Sequence, residues 1–146
     1  MKKFTKVGAL GFAAALATWS AGMQAAEAAQ TNWQCSVGGF TGYAQANYFI
    51  NGSGNKTVTD IFYRIDKGGN VGGNHANVHW SDAGTLPSTE FDTGDAGVQD
   101  NQWHTLWSSH CSCSGYGRGA GWVRTTFIFD KSNAADPSCY ATTFWG

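Results

Sequence analysis

Beyond about residue 30, apolar and polar positions alternate with period two in short runs, and no long 3.6-residue periodicity replaces them. Over residues 43–50 the face carrying Tyr48 and Ile50 is apolar, while Gln45 and Asn47 take the other side. Residues 58–66 place Ile61, Tyr63 and Ile65 on one face and Asp60, Arg64 and Asp66 on the opposite one. Residues 75–80 alternate cleanly, with Ala76, Val78 and Trp80 against His75, Asn77 and His79. Residues 122–130 set Val123, Phe127 and Phe129 against Arg124, Thr126 and Asp130. Residues 102–107 and 139–145 are further strand candidates. Six or more short strands rich in β-branched and aromatic residues, separated by turn-forming clusters, predict an all-β chain. The expected form is a single-domain antiparallel β-sandwich or small barrel. Residues 51–57 and 67–74 read as flexible connections, and 81–102 as mostly loop.

The N-terminus breaks this pattern. Lys2, Lys3 and Lys6 precede an apolar stretch over residues 7–19, too short for a bilayer span of roughly 20 residues. Ala26-Glu27-Ala28 has the small-x-small form of an export cleavage site, so residues 1–28 read as a secretory signal peptide. Residues 29–146 are then the mature domain, secreted or periplasmic, with no later segment apolar enough to span a membrane. Six basic and nine acidic side chains remain in it, a balance that argues against nucleic acid, which needs clustered cations. The same balance argues against charge-driven adhesion to anionic lipid.

Cys35, Cys111, Cys113 and Cys139 all lie in the mature part, and an even count in an exported chain reads as two disulfides. A direct Cys111–Cys113 bridge would close a very small strained ring. The expected pairings are therefore Cys35–Cys111 with Cys113–Cys139, or Cys35–Cys113 with Cys111–Cys139. A metal site built from His110 and thiolates conflicts with an oxidising compartment, so neither metal nor cofactor is expected.

The chemistry-bearing motifs are weak as catalysts. Gly115 to Gly121 imitates a nucleotide-binding loop, but a strand pattern follows it where a helix is required. Asp92-Thr93-Gly94 spells an aspartic-protease signature with no second copy to share the proton. His75 and His79, four apart on a strand, stand roughly 13 Å apart, too far to share an ion. His104 could approach them across the sheet as a third imidazole, but the spacing of the first two already rules out a shared ion. Glu90, Asp92, Asp95 and Asp100 lack the regular spacing of a calcium loop. Ser108 and Ser109 beside His110 would point to opposite faces of a strand. The chain therefore reads as a binder rather than an enzyme.

Eighteen aromatic side chains in the mature domain exceed what a core of this size can bury, and exposed rings mark binding surfaces. The expected ligand is a carbohydrate or cell-surface glycan, since rings stack on sugars while Asn, Asp and Arg bond hydroxyls. Tyr116 and Arg118 on the glycine-rich loop, with Trp122 at its base, are the expected contacts. The competing function is a secreted effector, a toxin, antimicrobial protein or enzyme inhibitor, whose aromatic loops enter a membrane or a foreign protein.

Overall fold

The computed structural model describes residues 27–50, 56–82, 90–108 and 121–145. Within them the chain forms eight strands and one short 3₁₀ turn, with no α-helix among the described residues. The strands are β1 (Glu27–Val37), β2 (Phe40–Ile50), β3 (Lys56–Asp66), β4 (Asn77–Asp82), β5 (Glu90–Asp92), β6 (His104–Ser108), β7 (Gly121–Ile128) and β8 (Ser138–Trp145). They build two four-stranded antiparallel sheets, ordered β1-β2-β3-β6 and β5-β4-β7-β8.

Local sequence explains the first hairpin. Val37 pairs with Phe40 across Gly38 and Gly39, whose φ values of 57° and 86° match a tight turn that only glycine adopts without strain. Asn70 fixes that turn by donating to the Gly38 carbonyl at 3.0 Å. The 67–74 connection, expected to be flexible, is tied down. Asn70 also bonds Lys67, and the buried Gln99 donates to the carbonyls of Gly73 and Asp130, both at 2.9 Å. Glycines and asparagines here serve turn geometry and backbone capping rather than mobility.

The faces follow the alternation. Ile61, Tyr63 and Ile65 of β3, Val78 and Trp80 of β4, and Val123 and Phe127 of β7 are all buried. They belong to one hydrophobic cluster that draws on both sheets. Phe40 of the first sheet stacks on Phe129, just past β7, with ring centroids 5.0 Å apart. Thr125 breaks the apolar face of β7, and the structure supplies the reason. Its Oγ1 accepts a 2.9 Å hydrogen bond from the buried Trp33 indole N–H, so neither polar atom is left unpaired.

Three expectations are corrected. β1 is not among the expected strands, although Trp33, Cys35 and Val37 alternate with Asn32, Gln34 and Ser36 and face the core. β5 and the 3₁₀ turn (Gly94–Ala96) interrupt the stretch expected to be mostly loop. Third, Cys35 bonds Cys139, with Cα atoms 6.0 Å apart, and this overturns both expected pairings. The reason lies in strand order. β1 and β8 are edge strands of different sheets, brought together along one side, and both cysteines point inward against the core. Cys111 and Cys113, like Tyr116 and Arg118, lie outside the described residues.

Candidate functional site

Period-two alternation gives the first sheet an outer face as definite as its inner one. The register lines up Gln34, Tyr43 and Arg64 in one row across β1, β2 and β3. Asn32, Gln45, Phe62 and Thr105 form the next row, and Gln30, Asn47, Asp60 and Ser108 the third. Trp103 stands just before β6 and remains 43 % exposed. The guanidinium carbon of Arg64 lies 4.1 Å from the Tyr43 ring centroid and 5.3 Å from that of Trp103. Both distances are within cation–π range.

Beside this stack runs a shallow groove of about 470 Å³, lined among others by Gln30, Asn32, Gln34, Tyr43, Gln45 and Trp103. Its amides are pre-oriented along each strand: Gln30 donates to Asn32 at 3.2 Å and Gln45 to Asn47 at 3.3 Å. Asp60 is held by Ser108, which donates to it at 3.0 Å, and by Thr59 at 3.1 Å. The face thus combines aromatic surface, one cation and rows of side-chain amides, each amide offering both donor and acceptor atoms.

Of the three expected ligand contacts, Trp122 alone lies among the described residues. Trp122 lies half-buried on β7, in the second sheet, with the Arg124 guanidinium carbon 4.9 Å from its ring. Trp80, on the apolar face of β4, is 1 % exposed and belongs to the core. The three histidines weighed as a cluster separate: His79 is on β4 of the second sheet and His104 on β6 of the first. His79 Nδ1 lies 3.1 Å from Asp92 and His104 Nε2 lies 2.8 Å from Asp100, each a hydrogen-bonded pair at the surface. Asp92-Thr93-Gly94 forms a turn in which the Gly94 N–H donates to Asp92. Glu90, Asp92, Asp95 and Asp100 do not converge; no group of three metal-ligating side chains occurs among the described residues.

Sequence reasoning missed the Tyr43–Arg64–Trp103 stack. Arg64 is visible in the sequence as an outward position, but its meeting with Tyr43 depends on the β2–β3 register. The compositional excess of aromatics was the one signal that pointed here.

The Asp100 pair makes a pH prediction. The hydrogen bond from His104, assisted by the Gln102 backbone N–H, holds the Asp100 carboxyl below its ordinary value. A carboxylate whose pKa is depressed on folding stabilises the fold above its unfolded pKa, near 3.9, and loses that contribution as pH falls through the folded value. Chemical denaturation of wild type and Asp100→Asn at pH 7 and pH 3 should show a gap in stability at pH 7 that narrows at pH 3. A gap that is unchanged or wider at pH 3 would contradict it.

Comparison with known proteins gave no match among family models, curated sequences or solved structures, so the reading of this site rests on its own geometry.

Proposed function

We propose that the protein is an exported β-sandwich that binds carbohydrate on the outer face of its first sheet. The observation that carries this reading is the exposed Trp103 stacked with Arg64 and Tyr43 beside rows of amide side chains. Pyranose rings present apolar C–H faces and a rim of hydroxyls. Aromatic rings match the former, and Gln, Asn and Arg match the latter. A sheet face is also stiff, so little ordering entropy opposes binding.

Export is supported by the positive and apolar N-terminal segment and by the Cys35–Cys139 disulfide, a bond favoured in oxidising compartments. No helix among the described residues is long and apolar enough to cross a membrane. The sandwich reading is supported by the inward faces of both sheets contributing to one core. The glycine-rich loop, through Tyr116 and Arg118, is proposed as a second contact.

A glycan array run beside liposome binding on the mature protein tests the reading. Tyr43→Ala and Trp103→Ala are each expected to weaken glycan binding at least about fivefold, the effect of losing roughly 1 kcal/mol at a contact residue. Melting temperature should barely change for Trp103→Ala, whose ring is exposed. Tyr116→Ala and Arg118→Ala, run alongside, measure what the loop adds. Unaltered glycan binding by both sheet variants would remove the site from this face. Liposome binding without glycan binding would favour a membrane-directed effector.

A further inference from the structure

The stack on the first sheet has a counterpart on the second. Arg124 of β7 sits with its guanidinium carbon 4.9 Å from the Trp122 ring and 4.7 Å from the Tyr140 ring. Tyr140, on β8, is 62 % exposed, the most exposed aromatic side chain among the described residues. Strands with unrelated sequences thus build the same arrangement twice, an arginine between two aromatic rings on an outward face.

Neither arginine forms an ion pair among the described residues. The ion pairs among the described residues are the two His–Asp pairs. Most described carboxylates are engaged elsewhere. Asp66, Asp92 and Asp100 each accept the backbone N–H two residues ahead, and Asp130 and Asp136 cap other backbone groups. Arg64 Nε is buried with no hydrogen-bond partner among the described residues, so a ligand from solvent can meet this guanidinium only through its two terminal nitrogens. Ring contacts cover the faces of a guanidinium and fix its plane, but they leave its in-plane N–H donors unused. Those donors form a fork that matches the two oxygens of a carboxylate.

We infer that each stack binds the carboxylate of an acidic sugar, a uronic acid residue of an anionic polysaccharide, and that the two outward faces let one molecule bridge two polysaccharide chains. The inference rests on the carbohydrate reading and the sandwich arrangement proposed above. The guanidinium fork bonds the carboxylate bidentately, the exposed ring carries the sugar face, and on the first sheet the amide rows bond the hydroxyls. With nine basic against ten acidic side chains the chain is not broadly cationic, so the recognition inferred is local, one guanidinium to one carboxylate, rather than by counterion release. Two weak sites on opposite faces gain strength on a repetitive polymer, where the second contact is effectively intramolecular.

Titration calorimetry of the mature protein with polygalacturonate oligomers, with the same oligomers after carboxyl reduction, and with dextran sulfate tests this. Turbidity with the long polymer reports bridging. Wild type should bind the uronate oligomer at two sites per chain, bind the reduced oligomer at least tenfold more weakly, and cloud the polymer. Arg64→Gln and Arg124→Gln should each leave one site and abolish clouding, and the double variant should leave none. Tyr140→Ala, at an exposed position, should weaken the second site alone and covers the case in which an arginine variant fails to fold. Equal binding of the reduced oligomer would overturn the acidic specificity while leaving the carbohydrate reading intact. Preference for dextran sulfate would overturn the carboxylate assignment. A single site in wild type, or clouding unaffected by Arg124→Gln and Tyr140→Ala, would overturn bridging. Failure to bind any of these together with a blank glycan array would remove the carbohydrate reading itself.

Discussion

Replacing both Cys35 and Cys139 by alanine is expected to cost about 4 kcal/mol of folding stability, with a fall in Tm on the order of 10–20 °C. The bond spans 104 residues of sequence, from β1 to β8. In the chain-entropy description, stabilisation grows with the logarithm of the closed loop and reaches roughly 4.7 kcal/mol near 100 residues. Position adds to length, because the bond joins β1 to β8, edge strands of different sheets that no ladder of hydrogen bonds connects. Both sulfurs pack against the core, so the substitutions also remove buried contacts. Urea denaturation of the double variant measures the loss, and non-reducing peptide mapping identifies the bond. A loss under 1 kcal/mol, or a fragment joining Cys35 to Cys111 or Cys113, would refute the assignment.

Phe127→Ala should be destabilising by about 4 kcal/mol, the usual cost of removing a fully buried phenylalanine ring. Its partner across the core is an absence. A side-chain carbon added at Gly42 of β2 would lie 2.4 Å from Phe127 Cγ, far inside contact distance. Gly42 therefore exists to admit the ring, and Gly42→Ala should cost about 2 kcal/mol through overpacking. The two changes relieve one another. In a Phe127→Leu background the cost of Gly42→Ala should shrink by about 1 kcal/mol, a coupling that a double-mutant cycle reads directly. Additive costs would show that Gly42 and Phe127 do not meet, and with that the packing of β2 against β7 would fail.

These expectations separate two kinds of information in the chain. Which residues face inward on β3, β4 and β7 was legible beforehand, since a strand's side chains alternate whatever it pairs with. Ile61, Tyr63, Ile65, Val78, Trp80, Val123 and Phe127 are buried as that alternation requires. Thr125 shows the limit of the rule. Its polarity left position 125 out of the predicted face, because the Trp33 indole that satisfies it is 92 residues away.

The candidate site was legible only as ingredients. An excess of aromatics announced a surface, and Arg64 and Arg124 were visible as outward-facing positions. Their stacking was not, because Tyr43 meets Arg64 through the β2–β3 register and Tyr140 reaches Arg124 through β7–β8. The disulfide partner of Cys35 was hidden for the same reason, since it follows from which strands become edges and where those edges meet. By itself the sequence determined the strand faces of β3, β4 and β7 and the excess of rings, which depend on composition and on neighbours a few residues apart. Strand order, register and sheet contact decided the rest, because they arise between segments tens of residues apart that no local pattern can join.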